Sequence, residues 1–238
     1  MISRIRSRRR AAVALTLVLM LSGCNSGPFV ELAQYNPLLR DDRSHEALYG
    51  PLPVERMKQL TELASTADEL TPQQRQQWAV QLSQQLPSEP DSLIRQRMVE
   101  ALGALNAPEA MQGLQAALQD IEPDVRRTAC VRLAGRSDPQ TAQILATVLG
   151  NDTDAQVRIA AARALGRFEQ REAVQALGLA LDDPDPAARH CAMQSLHEAT
   201  GRDYGDNVEA WRQYVRGDTP NAEARPSLAE RWRDTPLW

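Results

Sequence analysis

Residues 154–166 read DAQVRIAAARALG: an acidic residue, then Val-Arg, a run of alanines and a final Leu-Gly. Three further segments keep this order, DSLIRQRMVEALG at 91–103, EPDVRRTACVRLA at 122–134 and DPAARHCAMQSLH at 185–197. The residues that precede the shared arginine are Ile94, Val125, Val157 and Ala188. The copies are therefore 31, 32 and 31 residues apart. A period between about 20 and 50 residues is typical of an array of stacked repeats.

The motif has the periodicity of a helix. Counted from the residue before the arginine, positions 0, +4 and +8 lie on one side of a helix. In the first quoted copy they are Val157, Ala161 and Leu165, and the acid three residues before Val157, Asp154, is a favoured N-cap. The other copies offer Asp91, Glu122 (a poorer N-cap) and Asp185 at the same place. The chain is 42% hydrophobic but only 4% aromatic, which favours closely packed helices filled by Ala and Leu.

A second helical stretch precedes each copy, at about 71–86, 108–118, 139–149 and 171–181. An additional helix is expected at 53–66, and a last one after Asp206 or Asn207. We therefore predict an all-α fold, an α-α superhelix of about four helix pairs with terminal capping helices. The predicted domains are a signal peptide (1–23), a lipidated tether and N-terminal clamp (24–53), the helical array (54–217) and a mobile C-terminal tail (218–238).

The pattern D-x-x-V-R-x-x-x-A-x-x-x-L, repeated at about 31 residues over roughly 71–197, resembles the HEAT-repeat family, including its short PBS-lyase-type repeats. Met98 replaces the alanine in the first copy, and Ala188 replaces the valine in the last. The segment Thr200–Gly205, followed by a helix with a central Trp211, resembles the closing helix of bacterial envelope HEAT-repeat proteins. The resemblance implies an armadillo-like helical solenoid.

The N-terminus resembles the export signal of a bacterial lipoprotein. Five arginines and no acid occupy residues 1–10, an apolar run follows at 11–21, and the segment ends in Leu-Ser-Gly-Cys24. The resemblance to a lipobox implies that residues 1–23 are removed and that Cys24 carries lipid. Two alternatives are an ordinary signal peptide with an incidental cysteine and an uncleaved anchor, although the apolar run is short for a membrane span.

These features predict a lipoprotein anchored on the periplasmic side of a cell membrane. The outer membrane is favoured over the inner because Asn25, and not aspartate, follows the cysteine. Loss of the five leader arginines from 27 basic residues leaves 22 against 31 acidic ones, a net charge of −9. Such a chain repels phosphate backbones, so we expect no nucleic-acid partner.

The repeat arginines allow two interpretations, an anion-binding stripe or structural pairing with acids that cap their own or a neighbouring helix. They are Arg95, Arg126, Arg158 and Arg189. Every copy brings its own acid, which favours the structural interpretation.

Catalytic and metal-binding patterns are sparse. Two His-Glu pairs, at 45–46 and 197–198, resemble those that hold iron in HEAT-type deoxyhypusine hydroxylases, but the first lies outside the array and too few other ligands are present. Cys130 and Cys191 lie two repeats apart and are expected to be small helix residues. We predict no metal, no cofactor and no catalytic residue. The alternative is an accessory subunit or a lyase- or hydroxylase-like HEAT enzyme of unknown substrate.

Positions +2, +5 and +6 of the motif helices are expected to point away from the packed stripe and to form a shallow protein-binding surface. The candidate residues are Gln96, Val99, Glu100, Arg127, Val131, Ile159, Arg163, His190, Met193 and Gln194. The alternative is that its apolar members are ordinary scattered surface residues. The sequence thus predicts a non-catalytic, membrane-anchored scaffold or adaptor for an unidentified envelope protein, with no evident small-molecule substrate.

Overall fold

The computed structural model describes residues 52–136 and 139–220, with Pro139 described by its backbone alone. The predicted signal peptide, Cys24, nearly all of the tether and residues 221–238 of the tail lie outside the described residues. No helix within the described ranges is long and apolar enough to cross a membrane.

The described residues form ten α-helices and no strand, which confirms the predicted all-α fold. In chain order, α1 to α10 span Pro53–Ser65, Pro72–Gln85, Ser92–Leu105, Ala110–Ala117, Pro123–Leu133, Pro139–Asn151, Ala155–Leu165, Arg171–Leu179, Pro186–Thr200 and Val208–Arg216. Short 3-10 helices lie at Ala67–Glu69, Leu86–Ser88 and Ala180–Asp182.

The helices alternate between two layers. The motif helices α3, α5, α7 and α9 stack in sequence in one layer, and α1 packs on α3 at its start. In the other layer α2 packs on α4, α6 on α8, and α8 on α10. Four complete pairs, α2–α3 to α8–α9, are therefore flanked by one helix at each end. This is the predicted helical solenoid of about four pairs with terminal helices.

The stripe at positions 0, +4 and +8 is buried between the layers. Val157, Ala161 and Leu165 are each 0% exposed. The corresponding residues of α3, α5 and α9 are at most 1% exposed. Alanine at the middle position leaves room for the neighbouring helices, as expected from the shortage of aromatic residues.

Three motif helices begin with an aspartate cap. Asp154 Oδ1 accepts hydrogen bonds from the backbone N–H groups of Gln156 (2.8 Å) and Val157 (3.1 Å), and Asp91 and Asp185 cap α3 and α9 in the same way. Glu122 makes no side-chain cap bond, and α5 instead begins with Pro123. The glutamate side chain is one methylene longer, which explains why it does not reproduce the aspartate geometry.

The last helix closes the array through an aromatic cluster. Asn207 caps α10, and Trp211 is 1% exposed with its Nε1 donating to the carbonyl oxygen of Gly205 at 3.0 Å. The ring of Tyr204 meets that of Trp211 edge-on, with centroids 4.9 Å apart. These two contacts fix the turn before α10 to α10 itself, and α10 packs on α8 of the last complete pair.

Candidate functional site

The repeat arginines form a ladder of ion pairs between successive repeats. Arg126 donates from Nε and Nη2 to the two carboxylate oxygens of Asp152, at 2.8 and 2.9 Å. Its Nη1 donates to the carbonyl oxygens of Asp120 and Ile121, at 2.9 and 3.2 Å. Two further pairs repeat this geometry, Arg95–Asp120 and Arg158–Asp183.

The acid in each pair is not the one expected from the sequence. The cap carboxylates, such as Asp154, are occupied by backbone amides of their own helix. The arginine instead reaches the aspartate two residues before the cap of the next motif helix. The expectation that arginines pair with cap acids is therefore wrong, although the three pairs support a structural role.

Both ends of the ladder differ from its middle. Arg56 of α1 pairs with Glu89, which precedes the Asp91 cap by two residues. This ion pair is an additional first rung of the ladder, and it cannot be recognised from the motif because Arg56 lies outside it. At the other end, Arg189 donates from Nη1 to the carbonyl oxygens of Asp183 and Pro184, but it meets no carboxylate among the described residues.

The ladder carboxylates are held in their charged form. The side chains of Arg158 and Asp183 are 12% and 6% exposed. Hydrogen bonding from Arg158 lowers the pKa of the Asp183 carboxyl and outweighs the opposing effect of burial. Because these guanidinium groups already have carboxylate partners, the ladder is a poor site for further anions.

Three residues of the predicted binding surface are not exposed. Val99 is 0%, Ile159 is 6% and Met193 is 9% exposed. The expectation that these three side chains lie at the surface is wrong. Position +5 of all four motif helices is buried, because this side faces the next motif helix or the closing segment and not solvent. Cys191 Sγ, for example, lies 3.6 Å from the carbonyl oxygen of Ile159 across that contact.

The row at position +6 remains accessible. Val131 is 53% exposed, Arg163 and Gln194 are exposed, and Glu100 is half-buried and paired with Arg97 at 2.6 Å. At position +2, Gln96 is half-buried and donates to Thr128 Oγ1 at 3.2 Å, so it serves the contact between repeats. The last residue at +2, His190, is exposed with Nδ1 3.7 Å from Asp206.

Four of the predicted residues come together in a groove between α5 and α7, which we call the arginine groove. Its volume is about 350 Å³. It is lined by Arg127, Val131, Ala134, Gln156, Ile159, Ala160, Arg163, Ala164 and Arg167. The sequence interpretation missed Arg167, because that residue lies past the end of the motif. It follows Arg163 by four residues, and this helical spacing was the available signal.

The arginine groove has an apolar floor and guanidinium groups at its sides. Ile159 and Ala160 are 6% and 7% exposed, and Val131 stands at the rim. Arg163 and Arg167 are exposed. Arg163 also hydrogen-bonds the Cys191 thiol, but neither arginine forms an ion pair with an acid in the part of the chain that the structure describes. The arrangement can therefore hold an apolar side chain next to carboxylate groups.

A sequence model for HEAT repeats matches residues 79–158 and 145–237. The chain belongs to the HEAT-repeat family. The solved structure of human deoxyhypusine hydroxylase in complex with glycerol is similar, at 25% identity and a TM-score of 0.48. The match covers 52% of this chain and 44% of that one, so this chain spans less than half of its length. No curated protein matches the sequence.

Two other grooves of this HEAT array lie along the ladder. The larger, of about 430 Å³, contains the Arg158–Asp183 pair, and a second of about 360 Å³ contains Arg95 and Asp120. Exposed apolar side chains stand beside them, Leu179 (79%) and Ile121 (84%). Their charged groups are already paired, so they offer fewer free polar contacts than the arginine groove.

The His-Glu pair of the HEAT array lies at the surface. His197 and Glu198 are both exposed, and His197 Nδ1 lies 2.6 Å from the carbonyl oxygen of Arg202. Within the described residues no three His, Cys, Asp or Glu side chains are grouped as metal ligands. The other pair, His45-Glu46, lies outside the described residues.

Both cysteines of the HEAT array lie in helices, as predicted, and both are free and buried. Burial raises the pKa of the Cys130 thiol to about 12, so it remains protonated at neutral pH. Burial also raises the pKa of the Cys191 thiol, although the nearby Arg163 opposes this change. Thiols with this protonation state are poor nucleophiles and poor metal ligands.

Proposed function

We propose that this HEAT-repeat chain is a non-catalytic scaffold or adaptor of the bacterial cell envelope. Lipid on Cys24 anchors it to the membrane, and the exposed side of its motif helices binds a partner protein. The observation that carries the proposal is the arginine groove, where the accessible guanidinium groups of Arg163 and Arg167, which form no ion pair with a described acid, stand beside an apolar floor. Elsewhere on the motif helices, the residues that recur in each repeat form caps and ion pairs within the array.

The anchoring rests on the sequence alone. The arginine-rich head, the short apolar run and Leu-Ser-Gly-Cys24 together have the order that lipoprotein processing requires. Several acyl chains on one cysteine would hold the protein firmly, since a single chain binds a membrane only marginally.

Labelling with radioactive palmitate in living bacteria tests the anchor. The chain should incorporate label, and Cys24→Ser should lose both the label and membrane association. Cys191→Ser is the matched control and should keep both. Label that persists in Cys24→Ser would overturn the anchoring proposal.

Site-specific photo-crosslinking in the intact envelope tests the scaffold function. A photoreactive residue at position 131, on the rim of the arginine groove, should yield one discrete crosslinked partner. The same residue at position 172, exposed on α8 in the other layer, is the control and should not yield it. Absence of a product at position 131, or the same product at both positions, would contradict the proposal.

A further inference from the structure

We propose that the arginine groove binds an acidic segment of the partner protein, with carboxylates on Arg163 and Arg167 and an aliphatic side chain on the floor between α5 and α7. This inference rests on the proposed scaffold function and names the chemistry of its partner.

The guanidinium groups supply the first argument. Arg163 and Arg167 lie one turn apart on the same side of α7 and its C-terminal extension, so their heads can receive successive acidic side chains. Arginine presents a planar fork that matches a carboxylate bidentately. The ladder shows that match within this molecule, since Arg126 holds Asp152 in that way. In the groove, Arg163 and Arg167 have no acidic partner among the described residues.

The neighbouring acids do not neutralise the groove. Arg127 is paired with Asp124 at 3.0 Å, but the Asp124 side chain is 77% exposed and points into high-dielectric solvent. Glu198 of α9 lies close to Gly166, the residue next to Arg167, but it forms no ion pair with a described residue. Two guanidinium charges therefore remain available, in a chain with more acidic than basic residues.

The floor supplies the second argument. Ile159 and Ala160 form an apolar base, and the half-exposed Val131 continues it to the rim. A volume of about 350 Å³ suits a few side chains and not a folded domain. An aliphatic residue placed there would bury apolar surface, which strengthens the adjacent charge-assisted hydrogen bonds by removing water.

The overall charge argues against a nucleic acid as the occupant. The full chain carries a net charge of −4, and it carries −9 once the basic leader is removed. A polyanion that ran beyond the groove would meet this acidic surface, whereas a short acidic segment with an apolar residue would not.

Fluorescence anisotropy with the purified full chain in detergent tests the inference. The probe is a short labelled peptide of glutamates with a leucine at every fourth position. It should bind saturably. The double variant Arg163→Gln/Arg167→Gln should weaken binding by about tenfold or more, since hydrogen bonds to charged groups contribute about 1.5–3 kcal/mol each. Val131→Asp should also weaken binding, by repelling the probe's carboxylates.

Matched controls separate charge in the groove from charge elsewhere. Arg97→Gln removes an exposed arginine of α3 that pairs with Glu100 outside the groove. The affinity of this variant for the acidic peptide should differ from that of the unchanged protein by less than about twofold. The peptide with glutamine in place of glutamate should bind weakly. Circular dichroism should show equal helicity for all variants, because these side chains are at the surface.

The inference is overturned if the acidic peptide does not bind or if the double variant binds it unchanged. Equal binding of a single-stranded oligonucleotide would identify a general polyanion surface instead. Tighter binding of peptides of residues 25–51 or 221–238 would show that a segment of this chain fills the groove. A partner crosslinked at position 131 together with no peptide binding would leave the scaffold function intact and reject only the acidic ligand.

Discussion

Each of the three central ladder arginines, Arg95, Arg126 and Arg158, donates to groups on two neighbouring repeats. Arg158 donates from Nη1 to the carbonyl oxygens of Asp152 and Thr153 at the start of its own helix. Its Nε and Nη2 hold both oxygens of Asp183 in the next repeat. A lysine is a point charge and cannot reproduce this fork. The motif arginine is therefore required by geometry, and its charge alone would not suffice.

Asp183→Asn should lower the free energy of unfolding at pH 7 by about 2–3 kcal/mol, since it leaves a half-buried guanidinium without its carboxylate. The folded-state pKa of Asp183 lies below its unfolded value of about 3.9. Its contribution is therefore complete above about pH 5 and is lost as the pH falls through the folded pKa. Urea unfolding between pH 7 and pH 2.5 should show the difference between the two proteins shrinking on the acid side.

Asp124→Asn is the control for that series. Its carboxylate pairs with Arg127 within one helix and is 77% exposed, so the change should cost less than about 1 kcal/mol. A loss from Asp183→Asn that stayed constant down to pH 2.5 would contradict the assigned role.

At the level of the helix, the cap explains why the motif begins with an acid. Asp154 satisfies two of the N–H groups that a helix leaves without partners, and its charge favours the positive end of the helix dipole. Helix α5 forms without such a bond, because Pro123 at its first position needs no N–H partner.

Asp154→Ala should lower the midpoint of urea unfolding, with a loss of about 1 kcal/mol. Glu122→Ala, at the equivalent place of α5, should have a much smaller effect because no cap bond exists to remove. Only Asp154 makes cap hydrogen bonds, so equal losses in the two variants would show that the acid acts through charge and not through the hydrogen bonds.

The glycine that ends the motif is explained by contact between helices. Gly166 has an ordinary φ of −58°, so its backbone conformation does not require glycine. A Cβ placed there would lie 3.1 Å from the Cα atom of Ser195 in α9 and 2.8 Å from Glu198 Oε2. The Ser195 contact is to backbone, which cannot rotate away.

Gly166→Ala should therefore destabilise the array by about 1–3 kcal/mol, by forcing α7 and α9 apart. Gly150, in the last turn of α6, has no heavy atom within 4 Å of its would-be Cβ. Gly150→Ala should instead be neutral or gain up to about 1 kcal/mol through higher helix propensity. Thermal unfolding by circular dichroism compares the two, and a stabilising Gly166→Ala would show that α9 shifts at no cost.

Stability across the whole array should rise from its start towards its middle. Helix α1 has no fully buried residue, whereas α3 buries seven of its residues. In a linear array each helix is stabilised chiefly by its neighbours, and α1 has a neighbour in its layer on one side among the described residues. An ion pair between Arg56 and Glu89 connects α1 to the segment that precedes α3.

Hydrogen exchange followed by mass spectrometry should show amides of α1 exchanging about tenfold faster or more than those of α5 and α7. Arg56→Gln should accelerate exchange in α1 and leave α5 and α7 unchanged. Lys58→Gln, an exposed residue of the same helix, is the control and should have no effect. Uniform protection along the chain would show that the array opens as a single unit.

The two layers, the caps and the buried stripe could be predicted from the sequence, because these features depend on periodicity within a single helix. It was insufficient where a side chain's environment depends on the next repeat. Position +5 looked like surface on an isolated helix, yet Val99 is fully buried against the neighbouring motif helix. The ladder acid and Arg167 were missed for the same reason, since both lie outside the motif and meet their surroundings only after stacking.

The ladder has a consequence for how such a chain can lengthen. Residues 120–151 contain the acceptor of one rung, Asp120, and the donor of the next, Arg126. Tandem duplication of that segment would place a second Asp120 opposite the first Arg126, so both junctions would form complete pairs. An insertion of half a period would leave a guanidinium without a carboxylate. Insertion of whole segments therefore leaves every ladder arginine with its carboxylate partner.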